Sequence, residues 1–231
     1  MTQVDGASQE DGRAERRLLA EALQSNRCPI CFLLRDDEFQ ELCRWAGGGL
    51  ENEEIRRRLD KAGGFCNNHF WLLREIHSPQ SGSLVNDYVA AKLLEVLRKP
   101  RTDEKRAHAQ WLWNAAERCP LCACLRNREA RHLRALADWL KAPPSWPEYE
   151  NSRGLCVPHL VRLQALIDDQ TFHEHLARAQ AAQVERLQKE MRVFVRQFEA
   201  GQRWNISHDE WKAWERVIEK LVGRKGTPYP Q

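Results

Sequence analysis

Cys28-Pro29-Ile30-Cys31 and Gly64-Phe65-Cys66-Asn67-Asn68-His69 return later in the chain as Cys119-Pro120-Leu121-Cys122 and Gly154-Leu155-Cys156-Val157-Pro158-His159. The copies are offset by 119 − 28 = 91 residues at the first cysteine and by 156 − 66 = 90 at the third. Each copy supplies three thiols and one imidazole, in two pairs whose members stand three positions apart. Such a set closes a tetrahedron around structural zinc. Pairing within each copy predicts one site from Cys28, Cys31, Cys66 and His69 and a second from Cys119, Cys122, Cys156 and His159, hence two structural zinc ions.

The spacing also locates the ligands. Residues three apart on the first turn of a helix share a face. Pro29 and Pro120 fit such a turn, because proline's fixed φ and missing N–H cost nothing at a helix start. Each ion would pin two helix N-termini, where unpaired N–H groups and the positive dipole end stabilise thiolates. Gly64 and Gly154 allow a sharp backbone turn just before the third ligand. Two alternatives share these ligand types: an iron–sulfur cluster with one histidine ligand, and a thiol redox pair, though no βαβ pattern surrounds either C-x-x-C.

Outside the ligands the chain reads as all-α. Apolar residues recur at helical spacing in 13–24, 30–46, 51–61, 66–76 and 83–97, with 78–82 read as a loop and Ser83 as a cap. A helix capped by Thr102 is expected through Glu117. The organisation follows: a disordered N-terminus over 1–12, a first zinc-binding helical unit over 13–100, a second over 101–170, C-terminal helices over 171–223 packing on both units, and a flexible tail over 224–231. In the C-terminal part, 172–199 forms one long amphipathic helix. Ser207 and Glu210 then form a capping box for a last helix ending at Gly223. Its apolar residues Trp211, Trp214, Val217, Ile218 and Leu221 share one face, read as the underside of a roof on the zinc units.

The paired motifs, together with the closing segment Glu210-Trp211-Lys212-Ala213-Trp214 through Leu221-Val222-Gly223-Arg224-Lys225, resemble a family of uncharacterised bacterial proteins known only as a domain of unknown function. The resemblance covers about 28–225. It implies a single architecture and the eight ligands, and it brings no reaction with it.

Composition narrows the functional classes. The 231 residues are 42% apolar and 30% charged, with a formal net charge of +3. Each zinc held by three thiolates and one neutral imidazole adds −1, so nothing singles out an acidic partner such as nucleic acid. Met1 to Asp11 is polar and acidic, without a signal segment, and no apolar run is long enough to cross a membrane. Six of the eight cysteines fall in the ligand sets, which points to a reducing, cytoplasmic setting. Cys43 and Cys124 read as small core residues. His173-Glu174-His175 reads as a solvated helix start, since residues two apart on a helix point in different directions. His208-Asp209-Glu210 lacks the following P-C-x-x-C of zinc deaminases. No catalytic constellation emerges.

The expected function is therefore non-enzymatic: a metal-stabilised helical scaffold or adaptor that binds a protein partner, to which nine tryptophans are suited. A thiol or metal redox sensor, including an iron–sulfur protein, is the first alternative. A nucleic-acid-binding protein using Arg56-Arg57-Arg58 or Arg126 to Arg134 is the second. Oligomeric state is not set by the sequence.

Overall fold

The computed structural model describes residues 15–48, 50, 52–98, 118–142 and 145–226. The expected helix over 102–117, the start over 1–12 and the tail beyond 226 lie outside the described residues. Among the described residues every regular element is helical. In chain order they are α1 (15–24), α2 (Pro29–Gly48), α3 (Glu53–Ala62), α4 (Asn67–Ile76), α5 (Pro79–Arg98), α6 (Pro120–Lys141), α7 (Trp146–Asn151), α8 (Val157–Gln164), α9 (Gln170–Glu199), a 3₁₀ turn (Arg203–Asn205) and α10 (His208–Val222). No described helix is long and apolar enough to cross a membrane.

The helix boundaries follow local chemistry. Asn52 caps α3 by accepting from the amides of Glu54 and Ile55, and Gly63 closes it in the left-handed region at φ 72°. Ser207 and Glu210 form the reciprocal capping box of α10. One boundary differs from expectation. Helix α5 begins at Pro79, so 78–82 is its first turn: Ser78 Oγ accepts from Ser81 N at 3.2 Å, and Ser78 O accepts from Gly82 N at 2.9 Å. Proline at the first helical position carries no N–H to leave unpaired, which is why a sequence resembling a loop starts a helix.

The described residues form two compact units, one within 35–128 and one made of 15–34 with those within 129–226. They cut across the sequence copies, because α2 divides between Leu34 and Arg35 and α6 between Arg128 and Glu129. The 35–128 unit is cored by Leu42, Trp45, Ile55, Leu59, Phe65 and Leu73. Trp45 meets Phe65 edge to face at 5.0 Å, and Phe65 meets Phe70 at 5.2 Å. At its edge the fully buried Glu41 accepts from Arg44 and from Trp45 Nε1 at 3.3 Å, and pairs with Arg58 at 3.6 Å and Arg128 at 3.7 Å. Arg58 and Arg128 thus turn inward out of the two arginine-rich stretches.

The other unit is cored by Ile30, Leu136, Leu140, Tyr149, Leu155, Leu163 and Leu176. Within it α10 lies against α9 and α8, but turned from the expected orientation: Val217 is half-buried and Trp211 touches Phe194, while the rest of the apolar stripe faces out. Trp214, Ile218 and Leu221 are 54, 51 and 58% exposed, while Ala213 is fully buried. Arg216 and Lys220 fasten the inner side: Arg216 bonds Glu190 at 2.7 Å, and Lys220 Nζ donates to Arg153 O at 2.9 Å and Gln180 Oε1 at 2.8 Å. Arg153 reaches Asp209 at 2.8 Å from the same side. The underlying surface offers carboxylates, amides and carbonyls, so hydrogen bonding sets the helix rotation and the apolar stripe faces out.

Gly154 shows how tightly this unit closes. Its φ is +66°, and a Cβ there would lie 1.6 Å from Gln183 Oε1 and 2.5 Å from Gln180 Oε1. Both glutamines are buried, donating to Tyr149 O at 2.7 Å and Leu155 O at 3.0 Å. Gly154→Ala is expected to cost about 2–5 kcal/mol through left-handed strain and overpacking. Gly47→Ala, in a helix with no atom within 4 Å of the new Cβ, should be neutral or raise stability by up to ~1 kcal/mol. Thermal melts of the two variants check both signs.

Candidate metal centres

The four ligand pairs occupy equivalent places, each at the first turn of a helix. Cys66 and Cys156 are the N-cap residues of α4 and α8, with extended backbone and no side-chain cap bond. Cys28 and Cys119 immediately precede α2 and α6, and their carbonyls accept from Phe32 N at 3.0 Å and Ala123 N at 2.9 Å. Each partner, Cys31, His69, Cys122 or His159, follows three residues later on the same turn. Gly64 and Gly154 both have positive φ, at 130° and 66°, and deliver the chain to the third ligand as expected.

The eight residues come together in two groups, but crossed between the copies. One group is Cys28, Cys31, Cys156 and His159; the other is Cys66, His69, Cys119 and Cys122. Pairing within a copy is therefore corrected: the first CPxC meets the second C-x-x-H, and the second CPxC meets the first. Each group lies within one compact unit.

The distances match a common centre. Tetrahedral zinc with Zn–S near 2.3 Å and Zn–N near 2.0 Å places sulfurs about 3.8 Å apart and sulfur and nitrogen about 3.5 Å apart. Sγ of Cys31 and Cys156 are 3.8 Å apart, and those of Cys66 and Cys122 are 3.6 Å apart. His159 Nδ1 is 3.4, 3.5 and 3.0 Å from the sulfurs of Cys28, Cys31 and Cys156. His69 Nδ1 is 3.1, 3.3 and 3.3 Å from those of Cys66, Cys119 and Cys122. Disulfides need sulfurs at about 2.05 Å, and all six cysteines are free thiols. Both donor sets fit a four-coordinate metal ion bound through histidine Nδ1.

The second ring nitrogen of each histidine meets a buried carboxylate. His69 Nε2 lies 3.2 Å from Glu38, and His159 Nε2 lies 3.0 Å from Glu129. Arg162 also bonds Glu129. Glu38 and Glu129 are repeat equivalents, 129 − 38 = 91, each seven residues beyond the second cysteine of its CPxC. Each histidine is therefore held between a carboxylate of its own copy's CPxC helix and the cysteine pair of the other copy: His69 between Glu38 and the second CPxC, His159 between Glu129 and the first. No motif marks these glutamates; the one signal in the sequence is their shared register, and the structure buries both, at 5% exposed each.

The electrostatics suit bound cations. Burial by itself would lower the His69 pKa, but hydrogen bonds with Cys119, Cys66 and Glu38 raise it to about 11. Hydrogen bonds from Cys119 and Cys122 hold the Cys66 thiol well below its usual range, while burial pushes the Cys28 thiol well up. Burial raises and His159 lowers the Glu129 pKa, with the lowering larger. Lys220 stands near Cys28 and Cys156; burial depresses its pKa to about 8, against the pull of those sulfurs.

The remaining polar residues singled out from the sequence have other work. His173 Nε2 bonds Ile167 O at 2.8 Å and Gln164 O at 3.2 Å. His175 stacks on Trp146 at 3.8 Å and meets Glu150 at 2.8 Å. Both join the start of α9 to its neighbours, so the expected solvated helix start is only partly exposed. Cys43 is exposed and Cys124 half-buried; neither is the core residue expected.

The chain belongs to the family described as "Family of unknown function (DUF6062)", whose profile matches residues 18–228. Comparison with curated proteins and with solved structures finds no match.

Carboxylates that orient a ligating imidazole typically contribute 10–100-fold to metal affinity. Glu38→Gln is expected to weaken one metal by about that factor and leave the other unchanged, and Glu129→Gln to do the converse, read by competition with a chromophoric chelator. Metal uptake has to displace the protons of the thiols and any proton on the His69 imidazole, whose pKa Cys119, Cys66 and Glu38 raise. Affinity should rise with pH, with proton release measurable in weakly buffered solution.

Proposed function

We propose that this member of the family is a non-enzymatic helical scaffold, held together by two structural zinc ions, that presents a surface to a protein partner in a reducing, cytoplasmic setting. The observation that carries the reading is the closure of both donor sets. Each offers four ligands at tetrahedral spacing, every ligand residue is at most 8% exposed, and each imidazole is oriented on its far side by a carboxylate. Catalytic zinc keeps one position open for water or substrate, and here four protein groups fill the sphere. The arginine-rich stretches support a protein partner over nucleic acid: Arg58 and Arg128 pair with buried Glu41, Arg57 pairs with Glu54, and the remaining net charge is small.

Apparent zinc-binding energies of roughly 10–16 kcal/mol in small modules equal or exceed the whole stability of a domain, about 5–15 kcal/mol. Protein purified without oxygen is expected to be colourless, to carry two zinc ions per chain by elemental analysis, and to lose most of its helical circular dichroism on chelation. Cys66→Ser should halve the metal content and lower the melting temperature sharply; Cys43→Ser should leave two metals. Brown absorbance from an iron–sulfur cluster, or equal metal loss from both variants, would defeat the reading.

A further inference from the structure

Helix α10 turns a heptad seam away from the unit that holds it. Trp211, Trp214, Ile218 and Leu221 follow one another at spacings of three, four and three, the a/d pattern of a two-stranded coiled coil. They are 45–58% exposed, while Ala213, Arg216 and Lys220 face the unit's own surface and Trp211 also touches α9. The patch continues onto α9: Phe194 meets Trp211 edge to face at 5.4 Å, and Phe198 lies 5.6 Å from Phe194. Trp204, just before α10, is 80% exposed.

We infer that this face binds a second copy of the chain, α10 against α10 and antiparallel, which names the first protein partner of the scaffold proposed above and rests on that reading. Three features select this occupant. The seam runs from aromatic to aliphatic, so antiparallel pairing sets Trp211 against Leu221 of the partner subunit and Trp214 against Ile218 of the partner subunit. A large ring then meets a smaller chain at every level, whereas parallel pairing stacks tryptophan on tryptophan.

Charge selects the same direction. Helix α10 starts with Asp209 and Glu210, and Arg224 and Lys225 follow its end at Val222. An antiparallel partner brings each acidic start beside a basic end and sets the helix dipoles in opposition. The available area is also sufficient. Aromatic side chains bury about 150–250 Å² each, so the exposed parts of these tryptophans, Phe198 and the aliphatic residues come to roughly 700–800 Å², about what one partner buries in a specific dimer. A two-fold contact of this kind closes on itself and does not propagate.

Sedimentation of the full-length, zinc-loaded protein at micromolar concentration tests the inference. The wild type is expected to be a dimer. Ile218→Glu and Leu221→Lys, at exposed positions, should each raise the dimer Kd at least ~30-fold, as a central interface residue does, with two zinc ions and the melting temperature of the monomer retained. Leu97→Glu, at the 68% exposed end of α5, should leave the dimer intact. A wild type that sediments as a monomer with two zincs bound overturns the self-association alone. A dimer that both α10 variants leave unchanged overturns it too. Absence of zinc from the wild type strikes the scaffold reading instead, so the two failures are distinguishable.

Discussion

Each of the two histidines is gripped on both sides of its ring, and the rest of the structure depends on that grip. Nδ1 of His69 faces the sulfurs of Cys66, Cys119 and Cys122, and its Nε2 faces Glu38; His159 stands the same way between Cys28, Cys31, Cys156 and Glu129. The glutamate comes from the histidine's own copy of the repeat, and the CPxC pair comes from the other copy. One ring thus ties the start of one long helix to the third turn of another. Each donor set draws one residue pair from each copy of the repeat.

The cost of gathering thiolates is met by where they sit. Every cysteine–x–x pair lies at a helix start, with unpaired amides and the positive dipole end directed at the sulfurs. A zinc bound by three thiolates and one imidazole carries a formal charge of −1, and buried charge is expensive unless it is compensated. One unit places Lys220 near Cys28 and Cys156. The carboxylates on the imidazoles favour the Nε2–H tautomer, leaving Nδ1 free to ligate.

The sequence carried the eight residues of the two Cys/His groups, the helical class and most helix boundaries, because cysteine spacing and apolar periodicity are local signals. It did not carry the pairing. Both CPxC pairs have the same chemistry, and both connections to a C-x-x-H are long enough for either partner. The glutamates that hold the histidines, Glu38 and Glu129, were equally hidden, because a glutamate in a helix bears no mark of burial. The rotation of α10 was hidden for a related reason. Its amphipathic pattern is plain, but the surface it meets presents Glu190, Gln180 and the Arg153 carbonyl, so Arg216 and Lys220 turn inward. Hydrophobic periodicity reports which face is apolar and does not report which face meets its own protein.

The crossed assignment of ligands is the central claim, and correlating each metal with its own ligand protons tests it most directly. In protein loaded with cadmium-113, scalar coupling links each metal to the Cβ protons of its cysteines and to the ring protons of its histidine. One cadmium is predicted to correlate with Cys28, Cys31, Cys156 and His159, and the other with Cys66, His69, Cys119 and Cys122. A cadmium that correlates with Cys28 and Cys31 together with Cys66 and His69 would contradict the account.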